Sequence, residues 1–198
     1  MKFIAMVFDK VVRLGLMRIY GFDKWHTSPS RGRDYIKVVV EQLNQNSYRG
    51  AILEIGCGLG DILRQSDYSA KHFRDLCPKV LKAAKLLSKL SLRNGSKDSY
   101  ASLDFTRDTF EFDENHLDAL VLVNWIHNVE SKILKKKVAE ISNLYLKTGG
   151  IIIFDVINGN SKYQFNHQIE DLIVPGDFKL TSVKDLRFGR EIVVAEKI

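Results

Sequence analysis

The pattern of apolar and polar positions switches repeatedly between helical and strand-like stretches. A helical period is found in five stretches, over residues 2–20, 34–44, 60–66, 78–87 and 130–146. Short apolar or alternating runs that predict strands occupy five others, residues 51–55, 70–74, 98–103, 117–123 and 151–156. Because strands and helices alternate from residue 34 onward, the pattern predicts an α/β fold with a mostly parallel sheet.

The end of the chain predicts a different pairing. Two apolar runs, residues 178–183 and 191–195, flank Phe188-Gly189-Arg190, which is typical of an antiparallel hairpin. With the five preceding strands, this predicts a Rossmann-like, seven-stranded, mostly parallel sheet with helices on both faces and a C-terminal antiparallel hairpin. We expect residues 1–48 to form helices and a loop that cover the cleft, and residues 49–198 to form one compact domain.

The amino-acid composition limits the classes of protein to which the chain can belong. The 198 residues are 45% hydrophobic, enough for one well-buried domain, and no stretch has the apolar length of a membrane span. The net charge of +6 is spread without a basic block, so solubility explains it better than nucleic-acid binding does. Two cysteines without metal-ligand spacing predict a cytoplasmic protein with no metal. The amphipathic helix over residues 2–20 either packs on the domain or attaches to a membrane surface.

A glycine-rich turn follows the first predicted strand. Gly56, Gly58 and Gly60 stand at alternate positions after Glu54, where the backbone has to turn sharply and approach a ligand closely. The dinucleotide fingerprint requires glycine at position 61, but this chain has Asp61, whose charge repels phosphate. The turn therefore predicts a cofactor without phosphate, and an NAD-linked enzyme is the weaker alternative.

The segment Glu54-Ile-Gly56-Cys-Gly58-Leu-Gly60 resembles the first motif of the class I S-adenosylmethionine (SAM)-dependent methyltransferases. Asp75 follows Glu54 by 21 positions, near the offset at which an acid meets ribose hydroxyls, and it begins a segment similar to the second motif of that family. The resemblance implies SAM as the cofactor. The residues expected to bind it are Glu54, Gly56, Cys57, Gly58, Gly60, Asp61, Asp75, Leu76, Leu103, Asp104 and Asn124.

Within this set, the resemblance implies separate roles. Glu54 and Asp61 would contact the methionine ammonium group directly or through water, with helix capping as the alternative. Asp75 would accept hydrogen bonds from the ribose. Leu103 would pack on the adenine ring, and Asp104 would accept a hydrogen bond from the adenine amine. A helix or turn cap is the alternative role for Asp104.

The acceptor side is predicted from polar and aromatic residues near the strand ends. His127 and His167 are candidate general bases for a hydroxyl acceptor, with a packed or capping histidine as the alternative. Aromatic and polar groups expected to enclose the acceptor are Trp25, His26, Trp125 and Tyr163. This content suits a small polar molecule with a hydroxyl or amine, such as a sugar, and the chain resembles small bacterial methyltransferases of polysaccharide or secondary biosynthesis.

Two further alternatives stay open. An RNA methyltransferase is compatible with the positive charge, and a non-catalytic SAM-binding scaffold is compatible with the glycine motif. The Asn/Asp-Pro-Pro-aromatic signature of amino methylation on DNA bases does not occur in the chain. The sequence predicts no oligomeric state.

Overall fold

The computed structural model describes residues 2–90, 97–110, 112–159 and 163–198. These residues form a sheet with the strand order β3-β2-β1-β4-β5-β7-β6. Strands β1 to β5 are parallel, and β7 inserts antiparallel between β5 and β6. This confirms the predicted seven-stranded α/β fold. The strands are β1 (Ala51–Ile55), β2 (Ala70–Asp75), β3 (Lys97–Ser102), β4 (Leu117–Leu122), β5 (Leu146–Ile157), β6 (Phe178–Asp185) and β7 (Arg190–Lys197).

Helices cover both faces of the sheet. They are α1 (Lys2–Tyr20), α2 (Asp34–Gln45), α3 (Pro78–Leu90) and α4 (Ser131–Tyr145). The apolar stripe of α2 packs on one face together with Leu81 of α3, and that of α4 packs on the other. None of the helices in the described part of the chain has the length and apolar character needed to cross a membrane.

Helix α1 lies outside these two layers. It packs against α3 through a separate apolar cluster that includes Leu16, Phe22, Val80 and Ala83. The central strands β1 and β4 are buried along their whole length, as parallel strands covered on both faces should be. Since these strands point the same way, the residues that follow them meet at one edge of the sheet.

Two predicted boundaries are wrong. Residues 60–66 do not form an α-helix: the glycine-rich segment continues as turns, and only Leu63–Gln65 forms a short 3-10 helix. The segment is held by long-range contacts of Asp61, which local helical periodicity does not encode. Residues 147–150, predicted as a turn after α4, instead extend the start of β5, where pairing with β4 shifts register between Leu117 and Ala119.

Candidate functional site

A cavity of about 460 Å³ opens at the carboxyl ends of β1, β2 and β4. This volume lies within the range of small-molecule sites. Of the predicted cofactor residues, all except Gly60 line the cavity. Its wall consists of Trp25, His26, Arg33, Tyr35, Ile36, Glu54, Ile55, Gly56, Cys57, Gly58, Leu59, Asp61, Ile62, Asp75, Leu76, Leu103, Asp104, Phe105, Thr106, Val123, Asn124, Trp125, Asn128 and Val129.

The glycine-rich turn is shaped by the protein's own aromatic side chains. Gly56 has a φ of 70°, and a Cβ there would stand 2.2 Å from the ring of Trp125. Gly60 has a φ of 72°, and a Cβ there would stand 2.6 Å from Phe73. Both positions therefore require glycine for backbone conformation and for aromatic packing. This packing turns Gly60 toward Phe73, and Gly60 does not line the cavity.

The carboxylate of Asp75 joins the end of β2 to the glycine-rich turn. Its Oδ2 accepts a hydrogen bond from the Gly58 N–H at 2.8 Å, and its Oδ1 accepts one from the Cys77 N–H at 2.9 Å. A carboxylate has about four acceptor positions, so these two bonds fix its orientation without saturating it. Asp75 is nearly buried and lines the cavity, where it can accept two further hydroxyl hydrogen bonds.

Glu54 is the buried acid at the end of β1. Only 5% of the residue is exposed, and within the described part of the chain its Oε2 has no hydrogen-bond partner. Burial, reinforced by the charge of Asp61, raises the pKa of Glu54 well above its ordinary value. An unpaired buried carboxyl oxygen is costly. This group is therefore suited to bind a cationic ligand group that enters the cavity.

Asp61 also lines the cavity, but its carboxylate is taken up by three arginines. Arg13 donates two hydrogen bonds at 3.0 and 2.6 Å, Arg64 donates one at 2.7 Å, and Arg33 donates another. Burial acts to raise the pKa of Asp61, but the hydrogen bonds and charges of these arginines outweigh it and hold the pKa at about 2. Asp61 thus anchors the N-terminal segment to the turn, whereas Glu54 accepts a backbone hydrogen bond from Leu63 and keeps one oxygen without a partner among the described residues.

The far end of the cavity combines an apolar floor with one half-buried acid. Leu103 is buried and lines the cavity beside Phe105, whose ring packs edge-on against Trp125 with centroids 4.9 Å apart. Asp104 caps a turn, since its Oδ1 accepts hydrogen bonds from the N–H and hydroxyl of Thr106 at 3.0 and 2.7 Å. These bonds lower the pKa of Asp104. The cap uses Oδ1 alone, and Oδ2, which lies 3.6 Å from Arg107 Nε, has acceptor positions left for a ligand contact.

The N-terminal loop supplies the outer wall. Trp25, His26 and Trp125 line the cavity as predicted, and a neighbouring cavity of about 390 Å³ continues past Trp25, Arg33, Tyr35 and Asn124. The Nδ1 of His26 lies 3.1 Å from where a Cβ on Gly58 would stand. Burial lowers the pKa of His26. The structure thus presents a neutral imidazole to the cavity beside a second space of acceptor size.

The other two candidate histidines lie outside the cavity wall. His127 and His167 are both fully buried. His167 uses both ring nitrogens: Nε2 donates to the carbonyl oxygen of Ile126 at 3.0 Å, and Nδ1 lies 3.0 Å from the hydroxyl of Ser131. His127 Nε2 lies 3.3 Å from Asp155 Oδ2. Their roles as bases stay predictions.

Comparison with solved structures finds other proteins with this architecture. The N-methyltransferase NodS from Bradyrhizobium japonicum WM9, in complex with S-adenosylhomocysteine (SAH), superposes with a TM-score of 0.70 at 14% identity, over 94% of this chain and 98% of that one. Magnesium protoporphyrin IX methyltransferase from Synechocystis PCC 6803 with bound SAH gives 0.68 at 13% identity, over 100% of both chains. The chain has the fold of the SAM-dependent methyltransferases.

A third structure of the same fold is a SAM-dependent methyltransferase from Methanosarcina mazei, with a TM-score of 0.61 at 16% identity, over 81% of this chain and 97% of that one. No protein-family model matches the sequence. No curated protein matches it significantly. At these identities, the methyltransferase fold is the common property.

Behind the cavity, this methyltransferase fold carries a buried polar network that the sequence analysis missed. Asp155 of β5 accepts a hydrogen bond from the Asn124 N–H at 2.7 Å and lies 3.0 Å from Arg190 Nη1. Arg190 in turn donates from Nη2 to Asn124 Oδ1 at 2.9 Å and to Tyr163 Oη at 3.0 Å. The network fixes Asn124 at a φ of 75°, a conformation that asparagine tolerates better than most residues. Tyr163 thus supports the cavity wall from outside.

One of the missed residues left a signal in the sequence. Asp155 is the single acid in the apolar run of β5, and a charge in a buried strand requires a partner. Arg33 stands in a loop of turn-forming residues beside Tyr35, where local pattern gives no direction to the side chain. Arg13 had no signal, because its position in α1 is equally compatible with an exposed face.

Proposed function

We propose that this chain is a SAM-dependent methyltransferase that transfers a methyl group to a hydroxyl or amine of a small polar acceptor. The observation that carries the proposal is Glu54, a buried carboxyl with an unpaired oxygen in the wall of a ligand-sized cavity, one strand away from the unsaturated carboxylate of Asp75. An ammonium group and a ribose diol would satisfy these two acids. SAM carries both groups, and the fold is one that the SAM-dependent methyltransferases share.

Different residues of the cavity would contact different parts of the cofactor. Glu54 would hold the ammonium group, and Asp75 would orient the ribose while it keeps its bond to the Gly58 N–H. Leu103 and Leu76 would pack on the adenine ring, and Asp104 would accept a hydrogen bond from the adenine amine. When bound, SAM would supply a methyl group already activated on sulfur, so that the protein's task is to position the acceptor and exclude water.

The acceptor would occupy the space between Trp25, Tyr35 and Trp125. Aromatic faces and the Tyr35 hydroxyl suit a sugar-like or other polar ring. Among the histidines weighed from the sequence, His26 lines the cavity, and its lowered pKa keeps it neutral and able to take up a proton from a hydroxyl. His26 is therefore our candidate for the base, ahead of His127 and His167.

An RNA acceptor is the alternative with an observation in its favour. Helix α3 exposes four lysines and contains no acidic residue.

The two cysteines are unpaired, in keeping with the expected reducing cytoplasm. A SAM-binding scaffold without activity would have the same cavity, and only a turnover measurement separates it from an enzyme.

Isothermal titration with SAH and, separately, with NAD tests the proposal. We expect SAH to bind and NAD not to bind, because NAD lacks the ammonium group that the unpaired oxygen of Glu54 suits. Asp75→Ala should abolish SAH binding, whereas Asp113→Ala, an exposed acid far from the cavity, should leave it unchanged. Tight NAD binding, or SAH binding that survives Asp75→Ala, would overturn the proposal.

A further inference from the structure

Helix α1 exposes a continuous apolar face to solvent. Side chains with large exposed fractions recur at helical spacing along it: Ile4 at 72%, Val7 at 47%, Phe8 at 70%, Val11 at 60% and Ile19 at 74%. The opposite side of the helix is the buried one, where Arg13 reaches Asp61 and Leu16 packs against α3. A helix that docks on the domain through one side normally exposes a polar face on the other. Here the outward face is apolar.

Positive charge is concentrated beside this face. Helix α1 contains four basic residues and one acidic residue, and α3 contains four basic residues and no acidic one. Because Arg13 is buried against Asp61, the charge beside the face comes from the exposed Lys10 and Arg18 of α1 and from the four exposed lysines of α3. Asp9, the acid of α1, is engaged by Arg13 at 2.8 Å. Lys79 of α3 reaches over Gly21 at the end of α1, so the lysines of α3 border the apolar helix.

We propose that α1 and α3 form a docking surface for an anionic lipid bilayer. The apolar face of α1 would insert at the boundary between headgroups and acyl chains, and Lys79, Lys82, Lys85 and Lys89 would face the lipid phosphates. A second copy of the chain is the less suitable occupant, since two such surfaces would bring like charges together. The proposal is independent of methyl transfer, because neither the apolar face nor these lysines line the cavity.

Sedimentation of the full chain with extruded vesicles tests the proposal. The vesicles are made either of phosphatidylcholine alone or of an equimolar mixture with phosphatidylglycerol. We expect the chain to sediment with the anionic vesicles and to stay in solution with the neutral ones. Raising the salt from about 0.15 M to about 1 M should release a large part of the bound chain, because the charge contribution is screened.

Matched variants separate the two contributions. Phe8→Asp should reduce vesicle binding at least tenfold, whereas Phe188→Asp, which alters a side chain 87% exposed on the hairpin, should not change it. Lys82→Gln combined with Lys85→Gln should weaken binding, whereas Lys135→Gln combined with Lys136→Gln on α4, across the sheet, should not. Circular dichroism and SAH titration check that each variant is folded.

Three results would overturn the proposal. One is an absence of binding to anionic vesicles. Another is self-association in solution that Phe8→Asp abolishes, which would assign the face to a second copy. The third is salt-sensitive binding to RNA that the α3 lysine variant loses while vesicles stay unbound, which would assign the charge to an RNA partner. Failure of SAH to bind the wild type would affect the proposed function alone.

Discussion

The guanidinium of Arg13 forms a bidentate ion pair with the carboxylate of Asp61, with Nη2 to Oδ1 at 2.6 Å and Nη1 to Oδ2 at 3.0 Å. Arg13 is 1% exposed and Asp61 is 5% exposed. The pair joins the middle of α1 to the glycine-rich turn and thus to the cavity wall. The N-terminal helix is therefore part of the frame of the site.

Removal of the Arg13 charge should destabilise the fold. We expect Arg13→Met to lower the free energy of unfolding by about 2 to 3 kcal/mol, because Asp61 keeps two arginine partners but loses its most buried one. Arg18→Met, which removes an exposed arginine of the same helix, should change it by less than about 0.5 kcal/mol. Urea unfolding measures both. Equal midpoints for the two variants would contradict a role for the ion pair.

The same pair should make stability sensitive to acid. The pKa of Asp61 is about 2 in the folded chain, below the ordinary aspartate value, so its stabilisation is present above about pH 4 and lost as the pH falls toward about 2. The difference in unfolding free energy between wild type and Arg13→Met should therefore shrink across this range. A difference that stays constant down to pH 2 would assign it to packing rather than charge.

Binding at Glu54 should be linked to a proton. Because burial raises the pKa of Glu54, the carboxyl is protonated to a higher pH than an ordinary glutamate, and binding of an ammonium group should ionise it and release a proton. The enthalpy of SAH binding at mildly acidic pH should then differ between buffers of different ionisation enthalpy. Glu54→Gln should remove this buffer dependence and weaken SAH binding about 10- to 100-fold.

A matched ligand provides the control for Glu54. 5′-Methylthioadenosine keeps the adenosine and the sulfur but lacks the ammonium group. Wild type and Glu54→Gln should bind 5′-methylthioadenosine with the same affinity. Asp75→Ala should lose affinity for both 5′-methylthioadenosine and SAH. Equal losses of the two ligands in Glu54→Gln would assign Glu54 to the structure of the turn.

Substitution of the histidines should separate the candidate bases. With an acceptor found by screening hydroxylated and amino sugars for SAH release, His26→Asn should lower kcat about 10²- to 10⁴-fold without changing SAH affinity. Because burial lowers the pKa of His26, the acidic limb of the wild-type kcat profile should lie below the ordinary histidine value near 6.5. If His127→Asn instead abolishes that limb and His26→Asn leaves it, the assignment to His26 is wrong.

Substitution of Gly56 should report on the contact with Trp125. Gly56→Ala adds a Cβ 2.2 Å from the ring, whereas Gly159→Ala, also at positive φ, adds one that meets nothing within 4 Å among the residues that the structure describes. Gly159→Ala should therefore cost only the backbone strain, about 1 to 2 kcal/mol. Gly56→Ala should cost clearly more and shift the tryptophan fluorescence. Identical losses would mean that the Trp125 ring moves away freely.

The strands and the acids that line the cavity could be predicted because their signals are local. The buried run of β1, the acid at its end and the spacing to Asp75 are properties of neighbouring residues. The cavity lining confirms that these residues share one edge of the sheet. Helix α1 and the C-terminal hairpin were predicted for the same reason, since each shows its own period.

The rest could not be predicted because distant side chains decide it. Residues 60–66 have helical periodicity, but arginines 48 and 28 positions away hold Asp61 in a turn. His127 stands at a strand end that faces the cavity, yet the short turn Ile126–Asn128 directs it to Asp155, and Trp125 takes the cavity side. No short stretch of neighbouring residues determines which of these two side chains faces the cavity.

The attachment of α1 also constrains the order of events during synthesis. Its partners Asp61, Val80 and Ala83 follow it by roughly a quarter to a third of the chain's length, so the helix leaves the ribosome before these residues do. A single isolated helix of this length is marginally stable in water. The N-terminal segment is thus translated early and docks late. In that interval its outward apolar side chains are exposed to the molecules near the ribosomal exit tunnel.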